Sequence, residues 1–180
     1  MASIFDAIPS YNNGVSYSKY DIVKASDGRF YYSLINNNQG NLPTTLANLQ
    51  SKWDGYISLN GNLIPNFFWS PSYNFSATSK PRVVRIKFGN GYEQRLKESI
   101  NFNLKTLDLS FDNRSEKEAL SILHFLENRN GQESFIYNIP SLYLKSSLAI
   151  NTRFLCIEWE SKYVSYQNYT ITSTFEEVPL

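Results

Sequence analysis

The dipeptide Asn90-Gly91 constrains the fold of this chain most strongly, because it specifies a tight β-hairpin. A type I′ turn needs positive φ at both central residues, and Asn-Gly tolerates this best. Gly89 adds another position without a Cβ atom. The preceding segment, 82–88, mixes β-branched with basic residues, and Tyr92 begins an aromatic and charged exit strand. We therefore predict a hairpin whose turn contains Gly89, Asn90, Gly91 and Tyr92.

Most of the remaining sequence also has strand patterns. Residues 20–24 and 29–33 flank a turn at 26–28 and predict a second hairpin, and one short helical turn is expected within 45–53. Leu107, Leu109 and Phe111 alternate on one face of a strand. Further strands are predicted at 134–137, 153–163 and 169–178. Prolines favour irregular or edge segments over central strands, and this applies to Pro65, Pro71 and Pro81.

One segment changes from strand to helix periodicity. Ser115 and Glu118 have capping-box spacing, in which each side chain binds the other residue's backbone N–H. An apolar stripe at helical spacing follows, formed by Ala119, Ile122, Leu123 and Leu126. Gly131 is the expected left-handed stop. The sequence thus predicts a mainly β protein of the α+β class with one packed helix of about 15 residues, or about 22 Å.

Composition narrows the classes of function. Charged residues make up 18% of the chain and aromatic residues 16%, which suits either strand-rich structure or surfaces covered by a partner. The net charge is +1, without a run of five like charges, so neither nucleic-acid binding nor a polybasic membrane contact is expected. The first residues lack a signal-peptide pattern, and synthesis and assembly in the cytoplasm are expected.

Groups that perform chemistry are sparse. Cys156 is the single cysteine and lies in an apolar run, so we expect a buried small side chain. His124 is the single histidine, beside the helical stripe, where packing is expected rather than catalysis or metal binding. The acidic residues form no pattern that favours glycoside cleavage over solvated edges; those considered are Asp6, Asp21, Asp54, Glu176 and Glu177. We predict no catalytic residue, metal or cofactor, and no enzyme activity.

Four segments in order carry a family resemblance. They are 69–73 with 79–81, 88–95 with Asn101, 125–129 with 131–135, and 156–159 with 169–172 and 174–178. Together these segments resemble the minor tail protein M family of lambda-like phages with long, non-contractile tails. The resemblance covers about two-thirds of the chain, from Phe68 to Val178.

The resemblance implies a β-barrel-like domain of the tail-tube or distal-tail type. It implies a structural ring, of six copies, at the distal tail tip of the virion, linking the tail tube to the tip complex. Implied partners are other copies, the tail tube protein, the tape measure protein and other tail-tip or hub proteins. The hairpin residues Gly89, Asn90, Gly91 and Tyr92 would then meet neighbouring copies.

The first 60 residues resemble a small aromatic β-module of the chitin-binding type, and we expect domains at 1–61 and 62–180. The matching residues are Tyr17, Asp21, Val23, Gly28, Tyr31, Gly40, Pro43 and Trp53. Ile35 and Asn36 stand where such modules usually carry a sugar-stacking tryptophan pair. The alternative function is a glycan-binding accessory module for host-surface polysaccharide, with Tyr20, Tyr31 and Trp53 as candidate sugar contacts.

Overall fold

The computed structural model describes residues 7–73, 75–101, 103–138 and 152–179. The protein is mainly β, with 47% strand and one α-helix in the described chain, which confirms the predicted class. The elements, in order, are β1 (Ile22–Lys24), β2 (Phe30–Ser33), β3 (Trp53–Asp54), β4 (Tyr56–Leu59), β5 (Asn62–Phe67), β6 (Ser76–Ser79), β7 (Val83–Lys87), β8 (Glu93–Lys97), β9 (Lys105–Arg114), α1 (Glu116–Arg129), β10 (Phe135–Tyr137), β11 (Arg153–Ser165) and β12 (Asn168–Val178).

The strands form three sheets. The largest has seven strands in the order β4-β5-β10-β11-β12-β9-β6, and β5 and β10 are its parallel pair. Strands β1, β2 and β3 form a small antiparallel sheet, and β7 and β8 form a two-stranded sheet without another partner among the described strands. Closing a barrel requires the two edge strands to pair. Strands β4 and β6 remain edges in the described chain, so the expected barrel is not closed within one subunit.

Helix α1 covers one face of the large sheet. The Ser115 side chain accepts a hydrogen bond from the Glu118 backbone N–H, as the capping box predicts. The capping box also predicts that the Glu118 carboxylate accepts a hydrogen bond from the Ser115 N–H, but this carboxylate accepts one from Arg114 Nη1 at 2.9 Å. The helix ends at Arg129, and its C-cap Asn130, with φ 48°, is left-handed one position before the predicted Gly131, which is left-handed as well. The apolar stripe packs inward, as predicted.

The core between helix and sheet is an aromatic cluster centred on Phe67. Its ring lies 5.0–5.8 Å, centroid to centroid, from six other rings. Those rings belong to Trp69, Phe111, Phe125, Phe135, Tyr137 and Phe175. The predicted inward face of β9, with Leu107, Leu109 and Phe111, is confirmed as part of this core. Phe67 therefore joins β5 to α1 and to three other strands of the sheet.

Pro65 lies within β5, a strand with a neighbour on each side, and not in the irregular or edge segment that was predicted. It faces Tyr56 of β4. On the other side of β5, β10 pairs only with Asn66 and Phe67. Pro65 lies just beyond that ladder, so it is not required to donate a backbone N–H to β10. A central strand thus accepts the proline at the point where one of its partners ends.

The N-terminal segment shares its packing with the rest of the chain. Tyr32 belongs to the main core, and its hydroxyl lies 2.9 Å from His124 Nδ1 on α1. Lys117 Nζ binds Asp21 at 2.7 Å. The division at residue 61 stays a prediction, but that position is the turn of the β4–β5 hairpin. Both Asn60 and Gly61 have positive φ there.

Candidate functional site

The β7–β8 hairpin is the most exposed element of the described chain. Its register runs from Val83 opposite Lys97 to Lys87 opposite Glu93, so the predicted hairpin is confirmed. The Phe88 N–H donates to the Tyr92 carbonyl at 2.8 Å. Asn90 has φ 65° and ψ 21°, and Gly91 has φ 82°. The positive φ values follow the Asn-Gly expectation, although the connection holds three residues, 89–91, rather than two.

One face of this hairpin is apolar. Residues directly opposite in an antiparallel pair share a face, and alternate residues along a strand point the same way. The register places Val84 opposite Leu96 and Ile86 opposite Gln94. Phe88 and Tyr92, joined by the backbone hydrogen bond, continue this face beyond the strands, so one polar residue, Gln94, lies among five apolar ones. All five side chains are exposed, and Tyr92 reaches 75% exposure. The sequence already contained this signal as the alternation of Val84, Ile86 and Phe88.

The opposite face is basic. It carries Arg85, Lys87, Arg95 and Lys97, with Glu93 as its one acidic residue. Glu93 Oε1 lies 2.7 Å from Arg95 Nε and 3.8 Å from Arg85 Nε. The hydrogen bond from Arg95 lowers the pKa of Glu93. These pairs are solvated, so they contribute little to hairpin stability.

The hairpin lacks the packing that normally stabilises a sheet. Every residue from 79 to 101 is exposed. An isolated two-stranded hairpin is marginally stable in water and needs more strands or a packed face. Contiguous exposed apolar surface marks an interaction site in soluble proteins. The apolar face of β7–β8 can therefore bind another apolar surface, and such binding would also stabilise the hairpin.

A second exposed apolar surface lies at the end of the β11–β12 hairpin. In the described chain β10 pairs with β11 only at Arg153 and Phe154, so the rest of β11 forms an open edge as far as the turn after Ser165. The end of this hairpin exposes Tyr163, Val164 and Tyr166. We call this surface the β11–β12 tip. It was not predicted from the sequence, because the period of a long strand does not reveal where its neighbour stops.

The predicted sugar contacts are not arranged as a binding platform. Tyr31 and Trp53 have 0% exposure and fill a small core in the N-terminal segment. The Trp53 indole N–H donates to the Asn41 carbonyl at 2.7 Å. Tyr20 packs against the main core instead. A fully buried ring offers no free face for a sugar, so this assignment of Tyr31 and Trp53 is corrected.

The remaining candidate groups have structural contacts. His124 is buried, and burial, followed by the charge of Arg129, lowers its pKa to about 4. Cys156 is buried as predicted, and burial raises its pKa to about 12. Neutral forms of both groups are therefore favoured, as expected for packing residues. The described residues contain no group of three or more side chains suited to hold a metal ion.

The acidic residues also have local partners. Asp21 binds Lys117, and Glu177 accepts a hydrogen bond from the Lys105 N–H at 2.9 Å. Asp54 is buried beside Asn66, whereas Asp6 lies outside the described residues. The helix of the described chain does not meet the length and apolarity needed to cross a membrane.

Comparison with known proteins identifies the larger part of the chain. Residues 65–179 match the family model described as phage minor tail protein. The protein named tail tip protein M, from Escherichia phage lambda, is 30% identical over 112 residues, covering 62% of this chain and 95% of the lambda protein. The family match begins within β5 and includes the β7–β8 hairpin, α1 and the β11–β12 tip. This chain belongs to the phage minor tail protein family and is a structural protein of a phage tail.

Proposed function

We propose that this protein forms a ring at the distal tip of a long, non-contractile phage tail and links the tail tube to the tip complex. The observation that carries the proposal is the exposed apolar face of the β7–β8 hairpin. Membership of a tail protein family explains why a soluble chain exposes such a face, since tail proteins function within assemblies. The lambda relative's name, tail tip protein M, supports the location.

A ring requires two different surfaces on each copy, because a heterologous contact joins one patch to another patch on its neighbour. The chain has two exposed apolar surfaces on separate elements. The first is the hairpin face around Ile86, and the second is the β11–β12 tip around Val164. We assign the contact between neighbouring copies to these two surfaces. Six copies would close the ring, and the tail tube, tape measure and hub proteins would contact its ends.

The test compares single substitutions on opposite faces of one strand. Ile86→Ser removes an apolar side chain from the hairpin face, whereas the control Arg85→Ser changes the basic face of the same strand. Light scattering after size-exclusion chromatography should show assemblies above the 20.8 kDa monomer for wild type and Arg85→Ser. Ile86→Ser should shift the population to monomers. Moderate salt should not dissolve the assemblies, because screening weakens charge pairs more than apolar burial.

Mixing two defective variants tests whether the contact is heterologous. Ile86→Ser and Val164→Ser should each remain monomeric when alone. In a mixture, the intact hairpin face of Val164→Ser can bind the intact β11–β12 tip of Ile86→Ser. The two variants should therefore form a dimer that cannot grow. Monomers in the mixture would refute this pairing of surfaces. A strictly monomeric wild-type protein that is also absent from purified virions would refute the proposed function itself.

A further inference from the structure

A cavity of about 250 Å³ lies where the N-terminal segment meets the large sheet. Its buried lining comes from separate parts of the chain: Asp54 of β3, Asn66 and Phe67 of β5, Trp69 beyond β5, and Tyr137 of β10. Exposed polar residues, including Ser70 and Asn138, also line it. The cavity therefore has a buried inner wall and a polar rim.

Three buried polar atoms of this lining lack a hydrogen-bond partner within the described protein. They are Asn66 Oδ1, Trp69 Nε1 and Tyr137 Oη. Their residues are only 5%, 2% and 3% exposed, respectively. Buried polar side chains normally have a protein or water partner, so each exception requires an explanation. Three such atoms around one cavity offer hydrogen bonds to a molecule that enters it.

The neighbouring carboxylate defines the charge that the cavity accepts. Asp54 Oδ1 accepts from Asn66 Nδ2 at 2.8 Å and from the Gly55 N–H at 2.7 Å. These bonds hold Asp54 and Asn66 in fixed positions. Among the described residues of the lining, Asp54 is the one ionisable side chain besides Tyr137. An anionic occupant would therefore be repelled by the carboxylate, and none of these described residues supplies a basic side chain to balance it.

The hydrogen-bonding capacity of the three unpartnered atoms restricts the chemical class of the ligand further. The Trp69 indole N–H can only donate, Asn66 Oδ1 can only accept, and the Tyr137 hydroxyl can do both. A simple ammonium ion would leave Trp69 without an acceptor, whereas a hydroxyl group both donates and accepts. The half-buried ring of Phe68, stacked on Trp69 with centroids 3.9 Å apart, adds an aromatic surface. Such a surface suits the C–H face of a small ring.

We propose that this cavity binds a neutral polyhydroxylated ligand of about the size of one sugar ring. The site is different from the Tyr20, Tyr31 and Trp53 set considered from the sequence, and it does not depend on ring assembly. The polar rim would admit the terminal unit of a longer glycan.

Indole N–H signals in two-dimensional ¹⁵N–¹H NMR test the proposal on the full chain. Glucose, galactose, rhamnose and N-acetylglucosamine are added separately, at concentrations that reach a Kd on the order of 1 mM. At least one sugar should shift the Trp69 signal saturably, and Trp69→Phe assigns that signal. The Trp53 signal serves as an internal control, because its N–H already donates to Asn41.

The variant Tyr137→Phe separates binding from folding. It removes a hydroxyl that has no hydrogen-bond partner among the described residues, so stability should be preserved while affinity falls about tenfold or more. Tyr73→Phe is the matched control at a fully exposed position outside the cavity. Three outcomes would overturn the proposal. The first is no shift of the Trp69 signal with any sugar, as for a cavity filled by water alone, and the second is an unchanged sugar affinity in Tyr137→Phe. The third is a Trp69 shift with N-methylacetamide but with none of the sugars, which would indicate a peptide ligand.

Discussion

Replacing His124 should reveal a pH dependence of stability that the wild-type protein conceals. Burial lowers the pKa of His124 from 6.5 to about 4. Between these values the unfolded chain binds a proton that the folded chain excludes, so this residue makes folding less favourable as pH falls. At 1.36 kcal/mol per pKa unit, the full effect is about 3 kcal/mol. Stability is fully present above pH 6.5 and is lost progressively towards pH 4.

Asp54 has the opposite effect over nearly the same range. Burial raises its pKa from 3.8 to about 6. The folded chain therefore binds a proton before the unfolded chain does, and stability increases as pH falls from 6 to 3.8. This effect is also about 3 kcal/mol. The contributions of His124 and Asp54 should thus largely cancel in the wild-type protein between pH 4 and 6.

Urea unfolding followed by circular dichroism at several pH values between 4 and 7 would measure both contributions. Relative to wild type, His124→Gln should gain stability as pH falls, because only the Asp54 contribution remains. Asp54→Asn should lose stability as pH falls, and the double variant should follow the wild-type pH dependence. Other carboxylates titrate in all four proteins and largely cancel in the differences. Parallel curves for wild type and His124→Gln would refute the buried, neutral histidine.

Three further predictions concern packing and assembly. Phe67→Ala should lower the free energy of unfolding by about 3–5 kcal/mol, measured by urea unfolding, because it empties the centre of the aromatic core. Gly91→Val should strain a turn with φ 82° by about 1–3 kcal/mol and accelerate amide exchange in the hairpin; Gly91→Asn is the milder control. Thermal unfolding of the chain 63–180 tests the proposed domain division. This shorter chain lacks the core residue Tyr32, so its melting temperature should be lower than that of the full chain. A fully unfolded product would reject the division.

Local elements were predictable because their signals involve neighbouring residues. Ser115 defines the start of α1, Asn90-Gly91 the hairpin turn, and the alternation of Leu107, Leu109 and Phe111 the inner face of β9. Periodicity identifies an apolar face but not what covers it. The joining of β5 with β10, through Asn66 and Ile136, depends on contacts between distant segments and was not predictable in this way.

The same limit applies to the candidate sites. Tyr31 and Trp53 have the residue types of a sugar platform, yet aromatic side chains serve equally well as core, and the small N-terminal sheet uses them for that purpose. The apolar face of β7–β8 could be read from its alternation. The cavity could not, because it combines Asp54 with Tyr137 from strands that meet only after folding.

The separation of the β7–β8 hairpin from the core has a consequence for the order of assembly. A hairpin outside the main sheet can open locally while the remaining structure stays folded. Each contact made by a free subunit must therefore also order the hairpin, which weakens any single encounter. In the proposed ring, closure would make the final contact intramolecular and raise the effective concentration of its two surfaces. Incomplete arcs should consequently dissociate readily, while a closed ring persists.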